Sequence, residues 1–331
     1  MDNFTYTKDL EEPTDERKEY LKNQVKHLET LPQHVQRSPE WFKFREGLLT
    51  ASDYGSILGT NKYSKSNSVL KKKCEKNSKF FGGPACDWGK KYEDAAIQIY
   101  EKRNNTKVLE FGCIKHSTVN FLGASPDGIT PEGIMVEIKC PYSRKITGIP
   151  PPYYVDQVKG QLEVCQLDRC DFLECELEEV SKEVYIAYDT FEKGIVLEYY
   201  NKEFSKMEFI YLPLETTLEE LEEHKLNNKF VNDKYLFSSV SFWILKSISC
   251  IPIYRDFKWF EDALPRFRAF WDDVEHYRKV GYDKFKKKKS RDSGIFIDTQ
   301  PMKVVKEETS PTSQSSQSPQ SPQSSDYESV F

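Results

Sequence analysis

The chain has 331 residues, of which 38% are hydrophobic, 14% aromatic and 31% charged, with a formal net charge of −5. That length and core content suit a globular enzyme of one large domain or two smaller ones and exclude a chain disordered throughout. The acidic balance excludes a uniformly basic nucleic-acid coat but not a nuclease, which needs basic residues only around its groove.

The start, Met1-Asp2-Asn3-Phe4, has no apolar signal core, which predicts an intracellular, non-secreted protein with reduced thiols. The eight cysteines show no Cys-x2-Cys pair, so buried thiols are expected rather than a metal cluster. Residues 1–36 are charged and poor in core formers. They read as an N-terminal arm, with an exposed helix over Glu16–Leu31. Ser38 as N-cap, Pro39 in the first turn and Gly47 as the stop predict a helix between them. A short helix capped by Thr50 or Ser52 is expected next, its free N–H groups facing an anion beside Arg45. Lys62 to Lys79 is rich in lysine and serine and suits either a phosphate backbone or a solvated helix face. Trp88 to Tyr100 is helical by spacing. It puts Glu93 on the same side as Ala96, Ile97 and Tyr100, where a carboxylate needs a partner.

The central stretch is Gly123 to Pro141. Two turn signals, Ser125-Pro126-Asp127-Gly128 and Pro131-Glu132-Gly133, precede a period-two strand, Ile134 to Cys140. On that strand Met135, Glu137 and Lys139 share one face, and Asp127 in the preceding turn can reach it. Two carboxylates and a lysine at a strand end suit a hard cation such as Mg²⁺, which activates water and offsets charge on a phosphate. Glu-x-Lys on a strand is common, so this stretch alone does not fix such a site.

Farther along, Tyr153 to Leu167 predicts a helix with Tyr154, Gln157, Val158 and Gln161 on one side. Asp171–Leu177, Glu183–Tyr188, Ile195–Tyr200 and Glu208–Leu212 read as short strands, and Leu218–Phe230 as a charged helix. The run Val240–Ile253 is too short and polar to span a bilayer. Phe257–Tyr277 predicts an amphipathic helix that Pro265 bends or splits. A basic run at 284–291, with nuclear import or DNA contact as its functional readings, leads into a Ser/Pro/Gln-rich tail expected to be disordered.

Four blocks occur in order: Trp41-Phe-Lys-Phe-Arg45-Glu-Gly-Leu-Leu-Thr50-Ala-Ser52, Trp88-Gly-Lys-Lys-Tyr-Glu93, Ser125-Pro-Asp127-Gly with Glu137-Ile-Lys139-Cys-Pro, and Gln157-Val-Lys-Gly-Gln161. Together they resemble the lambda-exonuclease-like (YqaJ) viral recombinases of the PD-(D/E)xK nuclease superfamily. The resemblance covers about residues 38–215, within a domain drawn at 37–290 that carries a helical C-terminal extension over 216–290, and leaves 291–331 as tail.

The resemblance implies an α/β fold with a restriction-endonuclease-like core, a mixed β-sheet flanked by helices. It implies that Asp127 and Glu137 hold Mg²⁺, with Mn²⁺ as substitute, and that Glu93 and the Ile138 carbonyl add oxygen donors. Lys139 would position the water. Arg45, Ser52, Thr50 and Arg144 would grip a terminal 5′-phosphate, and Gln157 and Gln161 would face DNA. The implied activity is Mg²⁺-dependent 5′-to-3′ digestion of one strand of linear duplex DNA, in viral-type recombination, repair or replication. A single-strand annealing partner, a trimeric ring and residence in the nucleus or cytoplasm of a host cell follow from the same resemblance; no membrane association does. The alternatives are an endonuclease of the same superfamily and an inactive DNA-binding recombination scaffold.

Overall fold

The computed structural model describes residues 13–36, 38–75 and 82–283, all within one compact unit. The basic run at 284–291 and the tail lie outside the described residues. In chain order the elements are α1 (Asp15–Thr30), α2 (Pro39–Glu46), β1 (Leu49–Thr50), a 3₁₀ turn (Ala51–Asp53), α3 (Tyr54–Leu58), α4 (Ser66–Cys74), α5 (Pro84–Asn104), β2 (Ile114–Lys115), β3 (Leu122–Ala124), β4 (Gly128–Ile129) and β5 (Ile134–Lys139). They continue with α6 (Pro152–Cys165), β6 (Arg169–Val180), α7 (Lys182–Ala187), β7 (Lys193–Asn201), β8 (Lys206–Tyr211), α8 (Leu218–Leu226), β9 (Tyr235–Tyr254) and α9 (Phe257–Val280).

The main sheet has six strands in the order β4-β5-β6-β9-β7-β8, with β5 and β6 parallel and the other neighbours antiparallel. A small sheet, β1-β3-β2, stands beside it. This is the expected mixed α/β architecture. Met135 on β5 joins a core with Val158 and Leu162 of α6 and Phe267 of α9. Val136 and Ile138 join the opposite core with Tyr92, Ala96 and Ile99 of α5. The strand that carries Glu137 and Lys139 is therefore covered on both faces, which removes water from around the charges it bears. A third cluster, including Tyr185, Leu197 and Leu221, sits under α7 and α8.

Several expectations need correction. The N-terminal helix is not an exposed arm: Leu21, Val25 and Leu28, spaced along one helical face, are buried in the core shared with α6 and α9. Residues 183–187 form a helix, not a strand. Ser181 caps it by accepting from Val184 N, and Tyr185 is its one buried anchor. Neither Thr50 nor Ser52 caps α3; its N-cap position is Asp53, with no side-chain cap bond. Pro265 lies inside an uninterrupted α9. Ser38 caps α2 as expected, accepting from Trp41 N, with Pro39 in the first turn. Among the described residues the eight cysteines are free thiols, and no helix is long and apolar enough to cross a membrane.

Candidate active site

The hairpin between β4 and β5 closes through Thr130 N to Ile134 O at 2.8 Å and Gly133 N to Thr130 O at 2.9 Å. Gly133 has φ +89°, a left-handed conformation that favours glycine. This turn folds Asp127 back against the end of β5. Asp127 Oδ2 accepts the Ile138 backbone N–H at 2.7 Å, while the Ile138 carbonyl accepts from Lys139 Nζ at 3.0 Å.

Lys139 Nζ also forms an ion pair with Glu137 Oε1 and lies 3.9 Å from Asp127 Oδ2. One ammonium thus faces two carboxylates and a backbone carbonyl. Tyr154 lies beneath it, with Nζ 5.1 Å from the ring centroid. Burial alone would pull the Lys139 proton off, but Glu137 and Asp127 outweigh it and hold the ammonium above the ordinary lysine range. Asp127 is pushed well above the usual aspartate range by burial, and then by the charges of Glu137 and Glu93, against the pull of Lys139 and the Ile138 N–H. Glu93 is half-buried on α5, and its charge is also felt at Cys140. Four charged groups from three elements therefore share one field.

Glu137 is fully buried. Its carboxylate survives there because α6 supplies donors one turn apart: Gln157 Nε2 reaches Oε1, and Gln161 Nε2 reaches Oε2 at 2.6 Å. Both glutamines, expected to face DNA, instead hold the central carboxylate. The physical reason is that a buried anion without donors is too costly to keep. On another side of α6, Gly160 lets the helix pack on α3, since a Cβ there would come within 2.2 Å of the Tyr54 ring.

The basic side of the site is built from α2 and the turn after β1. Arg45 donates to Ser125 Oγ at 2.8 Å and to Thr50 Oγ1 at 3.2 Å, and its guanidinium lies 4.2 Å over the Trp41 ring. Thr50 Oγ1 is 3.3 Å from Ser52 Oγ, and Ser52 is exposed. Behind them, burial opposes the charge on Asp53, but Lys72, Lys73 and Arg45 hold it below the usual aspartate range. Lys73 donates to Leu48 O at 2.6 Å and Arg45 O at 3.2 Å; burial pulls its pKa down to about 8 despite Asp53. Arg45, Thr50 and Ser52 are thus one cluster. Ser125 ties it to the acidic centre, since its carbonyl also accepts from Gln161 at 3.4 Å.

Arg144 is not part of that cluster. It pairs with Glu174, a fully buried carboxylate on β6 in register with Lys139. Ser125, Tyr154 and Lys73 are not among the expected site residues: Ser125 stands inside a turn signal, Tyr154 is expected only to share a helix side with Gln157 and Gln161, and Lys73 only as part of the lysine-rich stretch 62–79.

The donor set suits a hard divalent ion: two carboxylates and a backbone carbonyl, all oxygen. These oxygens already converge on one positive charge, and Gln161 Oε1 is a buried acceptor with no partner. Among the described residues no three His, Cys, Asp or Glu side chains form a ready-made metal cage.

Residues 40–168 match the family model described as a YqaJ-like viral recombinase domain. An uncharacterized protein of Acanthamoeba polyphaga mimivirus is 30% identical over 299 residues, covering 76% of this chain and 54% of that protein. A protein of African swine fever virus is 28% identical over 158 residues, covering 38% of this chain and 45% of that one. The chain spans about half the length of these curated relatives. Among solved structures, an alkaline exonuclease from Laribacter hongkongensis aligns with 20% identity and a TM-score of 0.47, over 76% of this chain and all of that one. A phage-related exonuclease from Haemophilus somnus aligns with 12% identity and a TM-score of 0.40, over 72% and 96%. Arg45, Glu93, Asp127, Glu137, Lys139 and Gln161 all fall within residues 40–168, the stretch of this chain that is similar to the YqaJ-like viral recombinase domain.

Proposed function

We propose that this chain is a divalent-metal-dependent deoxyribonuclease that digests one strand of linear duplex DNA from its 5′ end. The observation that carries the reading is the convergence of Asp127, Glu137 and the Ile138 carbonyl on the Lys139 ammonium. Asp127, Glu137 and the Ile138 carbonyl would hold Mg²⁺ or Mn²⁺, with Glu93 as a nearby carboxylate. When bound, the ion supplies an activated water and offsets negative charge at phosphorus. Lys139, kept protonated by its neighbours, orients that water and stabilises charge on the phosphate rather than taking a proton itself. Gln157 and Gln161 hold Glu137 in one orientation. Ile138 N–H does the same for Asp127.

Arg45, Thr50 and Ser52 supply a guanidinium and two hydroxyls linked to the acidic centre through Ser125. A terminal 5′-phosphate bound there would set the strand end a fixed distance from Lys139, which favours an exonuclease over an endonuclease. The exposed 3′ strand would suit recombination or repair, with a single-strand annealing partner and a ring of copies as further parts of the same proposal. The test is digestion of linear duplex labelled at either end, with and without 5′-phosphate. Early release of a 5′ label supports the reading, and equal cutting of closed circular DNA overturns it.

A further inference from the structure

Three tyrosines lead outward from the catalytic lysine. Tyr154 lies under Lys139, Tyr153 packs on Tyr154 with ring centroids 4.3 Å apart, and Tyr63 meets Tyr153 edge-on at 6.0 Å. The outermost ring is 71% exposed. Its backbone is nevertheless fixed, because Asn61 Oδ1 accepts both Tyr63 N at 2.9 Å and Ser64 N at 3.2 Å. Gly55 permits the approach of α3 to this row, since a Cβ there would come within 2.7 Å of Tyr153. Positive charge flanks the row. Lys62 Nζ lies 5.0 Å from the Tyr63 ring, and the Arg144 charge is felt at the Tyr153 phenol. An exposed aromatic ring on a rigid turn, continuous with the reaction centre and bordered by cations, has the composition of a single-strand stacking platform.

We propose that Tyr63, backed by Tyr153, stacks an unpaired base of the strand being cut and so holds the frayed duplex end open beside Lys139. The inference rests on the nuclease reading and specifies how the substrate strand is presented. A base freed at a frayed duplex end beside Glu137 and Lys139 loses its stacking partners. An aromatic face restores part of that loss without reading sequence. The occupant is thus single-stranded DNA of any sequence next to the cut, rather than a protein segment.

The experiment uses the full chain and a 5′-phosphorylated duplex carrying 2-aminopurine at its last positions, in Ca²⁺ to follow binding and in Mg²⁺ to follow digestion. Stacking on Tyr63 quenches the fluorophore in the wild type. Tyr63→Ala should lose the quench and weaken binding roughly tenfold, whereas Tyr63→Trp should keep both. Hydrolysis of a small phosphodiester without bases should be unchanged in Tyr63→Ala, which separates the platform from damage to the centre. Equal quenching and affinity in wild type and Tyr63→Ala would overturn the platform while leaving digestion intact. Quenching without digestion would instead overturn the nuclease reading and leave the platform standing.

Discussion

The Asp127 carboxylate accepts the Ile138 N–H at 2.7 Å, while the carbonyl of that same residue accepts from Lys139 at 3.0 Å. One peptide segment thus locks the Asp127 carboxylate and orients the Lys139 ammonium, side by side at the end of β5. The Asp127 and Glu137 carboxylates repel each other, and Lys139, the Ile138 N–H and the glutamine donors of α6 hold them together.

The first consequence concerns pH. An aspartate whose folded pKa exceeds its unfolded value costs stability once it ionises. The cost is absent below the ordinary aspartate value of 3.8 and grows as pH rises through the elevated value. A divalent ion binds the ionised form, so its stabilisation should grow over the same interval. Measured Tm should rise more on Mg²⁺ addition at pH 8 than at pH 5. In EDTA, Asp127→Asn should gain on wild type as pH rises and should no longer respond to Mg²⁺. An equal Mg²⁺ response in wild type and variant at both pH values would contradict this.

Gln161 offers a test of the support beneath Glu137. Gln161→Ala removes the donor to Oε2 inside a fully buried site, and leaving that oxygen unpartnered should cost about 1–3 kcal/mol in urea unfolding. Activity should fall as well, because Glu137 can then rotate. Stability and activity both within error of wild type would refute the assignment.

Arg45 separates the two nuclease modes. Arg45→Ala removes the guanidinium from Ser125 and Thr50. The preference for 5′-phosphorylated over 5′-hydroxyl ends should drop by roughly tenfold or more, in line with loss of a charge-assisted contact. Competition between the two substrates reads this ratio directly, and an unchanged ratio would remove Arg45 from phosphate recognition.

Glu163 of α6 is one source of pH-dependent stability in acid. Burial opposes its charge, but His116 and Arg255, the latter at 2.8 Å, hold the carboxylate down to about 2. A depressed folded value contributes stability above the unfolded value of 4.5, and that contribution is lost as pH falls toward 2. The Tm gap between wild type and Glu163→Gln should therefore be widest near neutrality and close in acid. A gap independent of pH would show the pair to be inert.

Much of this layout was legible in the chain. The helices carrying Glu93 and Gln161 follow from apolar spacing, and the strand carrying Glu137 follows from alternation bounded by turn residues. The N-terminal helix was legible too, since Leu21, Val25 and Leu28 follow a four-then-three step, but its many charges masked the pattern. Residues 183–187 misled because β-branched residues flank Tyr185, while the cap at Ser181 decided for helix. Strands of two residues, such as β1 and β4, leave no periodic trace. The 20-residue β9 spans the sheet only because it pairs with β6 on one side and β7 on the other, which no local pattern announces. The same holds within the site: that Gln161 serves Glu137, or that Ser125 joins Arg45 to the acidic centre, is a matter of long-range contact.

The most direct measurement is release of nucleotides from 5′-phosphorylated linear duplex in Mg²⁺, comparing wild type with Lys139→Ala at matched fold by circular dichroism. Wild type should degrade the duplex only with the metal present, and the variant should be slower by roughly 10²–10³-fold. Metal-independent degradation, or a Lys139→Ala rate equal to wild type, would contradict the account.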